Sequence, residues 1–185
     1  MRRGSSLRAG LVVGAPLVWL AVIVLARVGV AAPARLLAPL TGFLGSVVQW
    51  VVGWTGIAAL RDGATLYVPG AFGYEISVGC TGLLPAAVLA VAVLASPGSR
   101  SAKRRGLLLG VPAILALNVA RLAHLFYLGI HAPRMFPLAH TVLWEGAMVA
   151  FTFATWLVWS RWAVQRPVPA SAAVGETAQQ LDQRL

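Results

Sequence analysis

Apolar stretches as long as a bilayer is thick govern what this chain can fold into. A spanning helix needs roughly 20 consecutive, mostly apolar residues. Four segments meet that length: Leu11–Ala31, Gly79–Ser96, Gly106–Gly129 and His140–Trp162. Only 11% of the 185 residues are charged, against about 25% in a soluble domain. So few charges could not cover a water-facing surface. The expected fold class is an all-α integral membrane protein. It is a bundle of about four transmembrane helices, an outer interfacial helix and a short extracytoplasmic hairpin.

The formal net charge is +10, and its placement excludes a nucleic-acid binder. Such a protein sets basic residues on a polar face among stacking aromatics. Here they lie between apolar runs, at Arg2, Arg3 and Arg8, at Arg100, Lys103, Arg104 and Arg105, and at Arg161 and Arg166. That is the pattern of cytoplasmic flanks facing anionic lipid of the bilayer. With Pro97–Arg105 inside, the second span runs inward, the third outward and the fourth inward. Both termini are then cytoplasmic, and Pro33–Val78 lies outside.

Met1–Ala32 is basic and then apolar, but its run exceeds the roughly 7–15 residues of a signal core, and no clean small-x-small cleavage site follows. It reads as a retained first helix. Leu36–Leu60 is apolar enough to span, yet an extra span would put Lys103–Arg105 outside. It is therefore expected in the outer interface, interrupted by Gly42, Gly45 and Gly53, with Trp50 and Trp54 at headgroup depth. Ala64–Val78 carries strand formers on either side of a Pro-Gly turn and predicts a hairpin. Residues 1–166 make one membrane-embedded domain, and the Ala-, Pro- and Gln-rich residues 167–185 a disordered cytoplasmic tail.

In a membrane bundle the informative side chains are those that lipid tolerates worst. They are Glu75, Cys80, Asn118, Arg121, His124, His140 and Glu145. Cys80 is the one cysteine, so no intrachain disulfide forms. At the start of a helix, in Gly79-Cys80-Thr81-Gly82, its thiolate form is favoured by the helix dipole; the blander reading is a small apolar filler. Asn118 and Arg121 are three apart and share a helix face. Arg121 cannot discharge, so it requires a wet cavity or a partner, for which Glu145 is the structural candidate. His140 lies at the same outer level as Cys80. It is either a base for the thiol or a histidine satisfied by a backbone carbonyl. Glu75 is either a substrate contact or an ordinary interfacial carboxylate. His124, His131 and His140 match no compact ligand spacing, so no metal or cofactor is expected.

Together these residues describe cysteine acyl transfer at one membrane face. Cys80 attacks a carbonyl, His140 shuttles the proton, and Arg121 stabilises the oxyanion or holds the substrate. Glu75, Thr81, Asn118 and Glu145 are the candidate substrate-binding residues around them. The competing reading is a non-catalytic small membrane subunit that docks partner transmembrane helices through Gly/Ala-rich faces.

The ordered set Glu75-Ile76, Cys80-Thr81-Gly82, a basic turn, Pro112, Asn118-x-x-Arg121 and then His140-Thr-Val-Leu-Trp-Glu145 resembles the exosortase/archaeosortase family, especially its smaller exosortase variants. The likeness covers about Leu66–Trp162. It implies an intramembrane cysteine peptidase or transpeptidase of protein sorting, with Cys80 as nucleophile and Arg121 and His140 completing the catalytic set. The implied partner is a secreted protein's C-terminal sorting signal with its hydrophobic helix, cleaved at the outer face of the plasma membrane.

Overall fold

The computed structural model describes residues 34–164. The expected first helix, Leu11–Ala31, and the tail, 167–185, lie outside the described residues. Within them the chain is mostly helical, and three stretches are long and apolar enough to cross a membrane: Leu36–Gly53, Arg100–His131 and Pro133–Ala163. Large apolar side chains face outward along them, among them Leu36, Leu109 and Val158, each 70% exposed or more. In water that surface would aggregate; in lipid it is the expected exterior.

Helix α1, Ala34–Gly53, runs unbroken through Gly42 and Gly45. The expectation that these glycines interrupt it is corrected: a lone glycine costs a helix only about 1 kcal/mol, less than packing returns. Gly53 alone marks its end, and Leu60 belongs to a strand instead. The buried Val48 and Val52 of α1 pack with Leu66, Ile76, Leu122 and Phe126.

The predicted hairpin is present as β2, Thr65–Val68, and β3, Phe72–Glu75, paired antiparallel with Leu66 opposite Tyr74. A third strand, β1, Leu60–Asp62, adds to the free edge of β2. Its residues are all exposed, so no apolar alternation announced it.

Helix α2 covers Leu83–Ala95, 13 residues, and not the expected Gly79–Ser96. Gly82, in the left-handed region at φ +75°, stops the helix from extending back toward Gly79. Pro85 falls in the first turn, where a missing N–H costs nothing. At about 1.5 Å per residue, α2 is about 20 Å long, short of the roughly 30 Å hydrocarbon core.

Helix α3, Arg100–His131, is 32 residues long and is capped by Ser99, whose hydroxyl accepts from the Ala102 N–H. After α3 come a 3-10 turn, Pro133–Met135, a single turn α4, Phe136–Leu138, a π-helical turn, Ala139–Leu143, and α5, Trp144–Val164. Helices α2, α3 and α5 pack through Ala86, Leu89, Val93, Ile114, Met148 and Trp159. Gly106 and Gly110 are notches in α3: a Cβ on either would collide with Trp159 or Leu89 respectively. These two small residues of the Gly/Ala-rich faces expected to receive a partner helix are filled here by the chain's own side chains.

Candidate active site

Cys80 does not sit in the first turn of a long helix, as the sequence suggested. It closes a 3-10 turn, Val78–Cys80, ahead of α2. The Cys80 N–H donates to the Ser77 carbonyl at 2.9 Å, and the Thr81 N–H to Val78 at 3.2 Å. Thr81 is buried, and its hydroxyl donates to the Val78 carbonyl at 2.7 Å, which ties the turn to itself. Asn118 is wholly buried and donates from Nδ2 to the Cys80 carbonyl at 2.9 Å. A Cβ at position 82 would come within 2.8 Å of the Asn118 Cγ. Glycine is thus demanded there twice, by backbone angle and by the closeness of the amide that fixes Cys80.

The half-buried Cys80 thiol points to His140, with Sγ 3.8 Å from Nε2 across 60 residues of sequence. The Ser77 hydroxyl donates to the same sulfur at 3.5 Å. His140 lies on the π-helical turn, not in an α-helix as expected. Such turns widen a helix locally and recur at functional sites. The Phe136 ring lies nearly parallel to the imidazole, 5.8 Å between centroids and 16° between planes.

Thiol and imidazole open onto a cavity of about 280 Å³. Tyr74, Leu122, Leu125 and Phe136 make its apolar wall, and Glu75, Ser77, Cys80 and His140 its polar side. Glu75, exposed at the end of β3, is among the residues that line the cavity.

Arg121 is placed differently. Its side chain is 4% exposed, paired through Nη2 with Glu145, which is 55% exposed. Its Nε is buried without a hydrogen-bond partner. The guanidinium does not line the cavity, though the next residue, Leu122, does. Tyr74 links the two regions: its hydroxyl donates to the Leu122 carbonyl at 3.0 Å. Burial, chiefly, and the Cys80 charge push the Tyr74 phenol up, while Arg121 pulls it down. The phenol thus stays neutral and feels both groups.

The structure therefore brings Cys80, His140 and Glu75 to one cavity. It uses Asn118 and Thr81 to hold the thiol-bearing turn, and sets Arg121 with Glu145 beside them. The other histidines stand apart: His124 accepts from the Trp144 indole at 3.0 Å, and His131 packs on Tyr127 at 4.2 Å between centroids.

Sequence reasoning missed Tyr74, Ser77 and Phe136. Phe136 was within reach, four residues before His140 and so on the same helical face. Tyr74 alternates with Phe72 and Ile76 on one side of a strand. Ser77 carried no signal beyond its closeness to Cys80.

The family model described as Transmembrane exosortase (Exosortase_EpsH) matches residues 7–159. No curated protein and no solved structure matches the chain.

Proposed function

The chain belongs to the transmembrane exosortase family, and on that premise we propose that it is a membrane cysteine peptidase or transpeptidase acting through Cys80, His140 and Arg121. Membership makes it a sorting-related transmembrane protein. The observation that carries the catalytic reading is the 3.8 Å approach of His140 Nε2 to Cys80 Sγ beside a cavity. Two groups that recruit each other from distant segments are poorly explained as packing.

In the proposed reaction His140 takes the thiol proton as the sulfur attacks the substrate carbonyl. The tetrahedral intermediate collapses, and the imidazolium returns the proton to the departing amine. A thioester remains on Cys80, which an amine or water then resolves. Arg121 supplies fixed positive charge behind Tyr74 toward the developing oxyanion, and Glu145 holds it in place. Glu75 meets the substrate at the cavity mouth.

The substrate in this reading is the C-terminal sorting signal of a secreted protein, whose hydrophobic helix lies in the bilayer beside the chain. The enzyme resides in the plasma membrane, with the cavity on the extracytoplasmic side and both termini cytoplasmic. The basic turn Pro97–Arg105 supports that orientation. The alternative of a non-catalytic subunit is less well supported, because Gly106 and Gly110 are already occupied internally.

The test is Cys80→Ala beside the wild type in cells that process a tagged sorting signal. Processing is expected to vanish while the variant inserts at wild-type levels. Mass spectrometry of a peptide thioester-linked to Cys80 would name nucleophile and substrate together. Undiminished processing by Cys80→Ala defeats the proposal.

A further inference from the structure

The opposite end of the bundle holds a second cavity of about 390 Å³. It lies where the turn before α3 meets the last turns of α5, and its lining includes Ser99, Ser101, Arg105 and Trp162. Its size falls within the roughly 300–1,000 Å³ of small-molecule sites. The Arg105 guanidinium stands over the Trp162 ring, 5.8 Å from its centroid. A guanidinium stacked on an indole keeps its in-plane N–H groups free to meet an anion. The Ser99 and Ser101 hydroxyls are 3.0 Å apart. They share one hydrogen, which leaves the other hydroxyl hydrogen to donate.

The charge at this end is one-sided. Arg100, Lys103, Arg104 and Arg105 fall within the first turns of α3, and Arg161 adjoins Trp162. The described carboxylates are Asp62, Glu75 and Glu145, which belong to β1, the thiol cavity and the Arg121 pair. Among the described residues no carboxylate pairs with any of these cations, since the one ion pair is Arg121–Glu145. A tryptophan at the end of an apolar helix marks headgroup depth.

Charge, depth and donor geometry lead us to propose that this cavity is a binding site for the phosphodiester headgroup of an anionic membrane lipid, with Arg105 and Ser101 as its contacts. Arg105 presents planar donors to two phosphate oxygens, and the serine hydroxyl reaches a third oxygen. The site is independent of the chemistry at Cys80.

The full chain, purified in a nonionic detergent, is titrated with short-chain phosphatidylglycerol, short-chain phosphatidylcholine or inorganic phosphate, and bound lipid is counted by native mass spectrometry. One phosphatidylglycerol is expected per chain, with phosphatidylcholine at least tenfold weaker. Arg105→Ala is expected to weaken binding about fivefold, as one arginine at a lipid surface does. Ser101→Ala should lower it by a smaller factor, and it tests the site should the arginine variant misfold by circular dichroism. Arg134→Ala, an exposed cation near the other cavity, should bind as the wild type does. Equal binding of the two lipids overturns the proposal. So does binding insensitive to the cavity variants, or an equal loss in Arg134→Ala. Displacement of the lipid by equimolar inorganic phosphate would assign the cavity to a soluble anion instead.

Discussion

The two halves of α3 meet their neighbours in different ways. Near Arg100 the contact is mainly one of shape: the notch at Gly106 takes the Trp159 indole, whose N–H also donates to the Ala102 carbonyl at 2.9 Å, and Gly110 takes Leu89. Near His131 a notch is also filled, by Phe72 at Gly129, but polar anchors are added: Asn118 holds the Cys80 carbonyl, Arg121 pairs with Glu145, and the Leu122 carbonyl accepts from Tyr74. Shape complementarity tolerates no added volume but is indifferent to chemistry. Buried polar contacts fix atoms in exact places, and they are costly when one partner is lost. The first half therefore mainly stabilises the bundle, and the second also fixes the groups proposed to react.

The sharpest way to break this division is His140→Ala. Catalytic proton transfer contributes about 10²–10⁴-fold, so the turnover of a sorting-signal reporter should fall by that factor. The midpoint of thermal unfolding in detergent should move little, and a large drop would recast His140 as a structural residue. The converse substitution is Gly106→Leu. Overpacking costs about 1–3 kcal/mol, read as a lower unfolding midpoint, whereas turnover per folded molecule should hold. Asn118→Leu straddles the comparison. It leaves the Cys80 carbonyl without its donor, for about 1–2 kcal/mol of stability, and it should also slow acylation as the thiol turn loosens; a burst experiment separates the two effects. The smallest effect is expected of Tyr74→Phe. Loss of one hydrogen bond to a carbonyl costs about 0.5–1.5 kcal/mol, and turnover should fall only severalfold.

Much of the architecture is legible in the residues because hydropathy and helix length answer to the same bilayer thickness. Gly106–Gly129 and His140–Trp162 both fall inside helices, and Ala64–Val78 holds β2 and β3, though not β1. What escaped was local backbone geometry. Nothing in the apolar run from Gly79 announces that Gly82 takes a left-handed angle, or that the Asn118 amide 36 residues away leaves no room for a Cβ there. The π-helical turn under His140 is equally silent, since it is a change of hydrogen-bond register and not of composition. For the site, ionisable residues in apolar surroundings pointed to Cys80, Arg121 and His140, of which the structure brings Cys80 and His140 together. Those residues also offered Glu145 as the partner of Arg121, and that pair is present; what they did not reveal is that the guanidinium stays off the cavity, because three-residue spacing sets a face and not a rotamer.

The brevity of α2 carries one more consequence. A rod of 13 residues anchored at its Ser96 end in one leaflet boundary stops about 10 Å before the other boundary. The sulfur would then lie beneath the surface plane, and a scissile peptide would have to descend to reach it. At that depth the supply of bulk solvent is poor. On the proposed mechanism, a thioester formed there would meet less water than its counterpart on a soluble protease, and ligation to an amine-bearing acceptor would be favoured over hydrolysis.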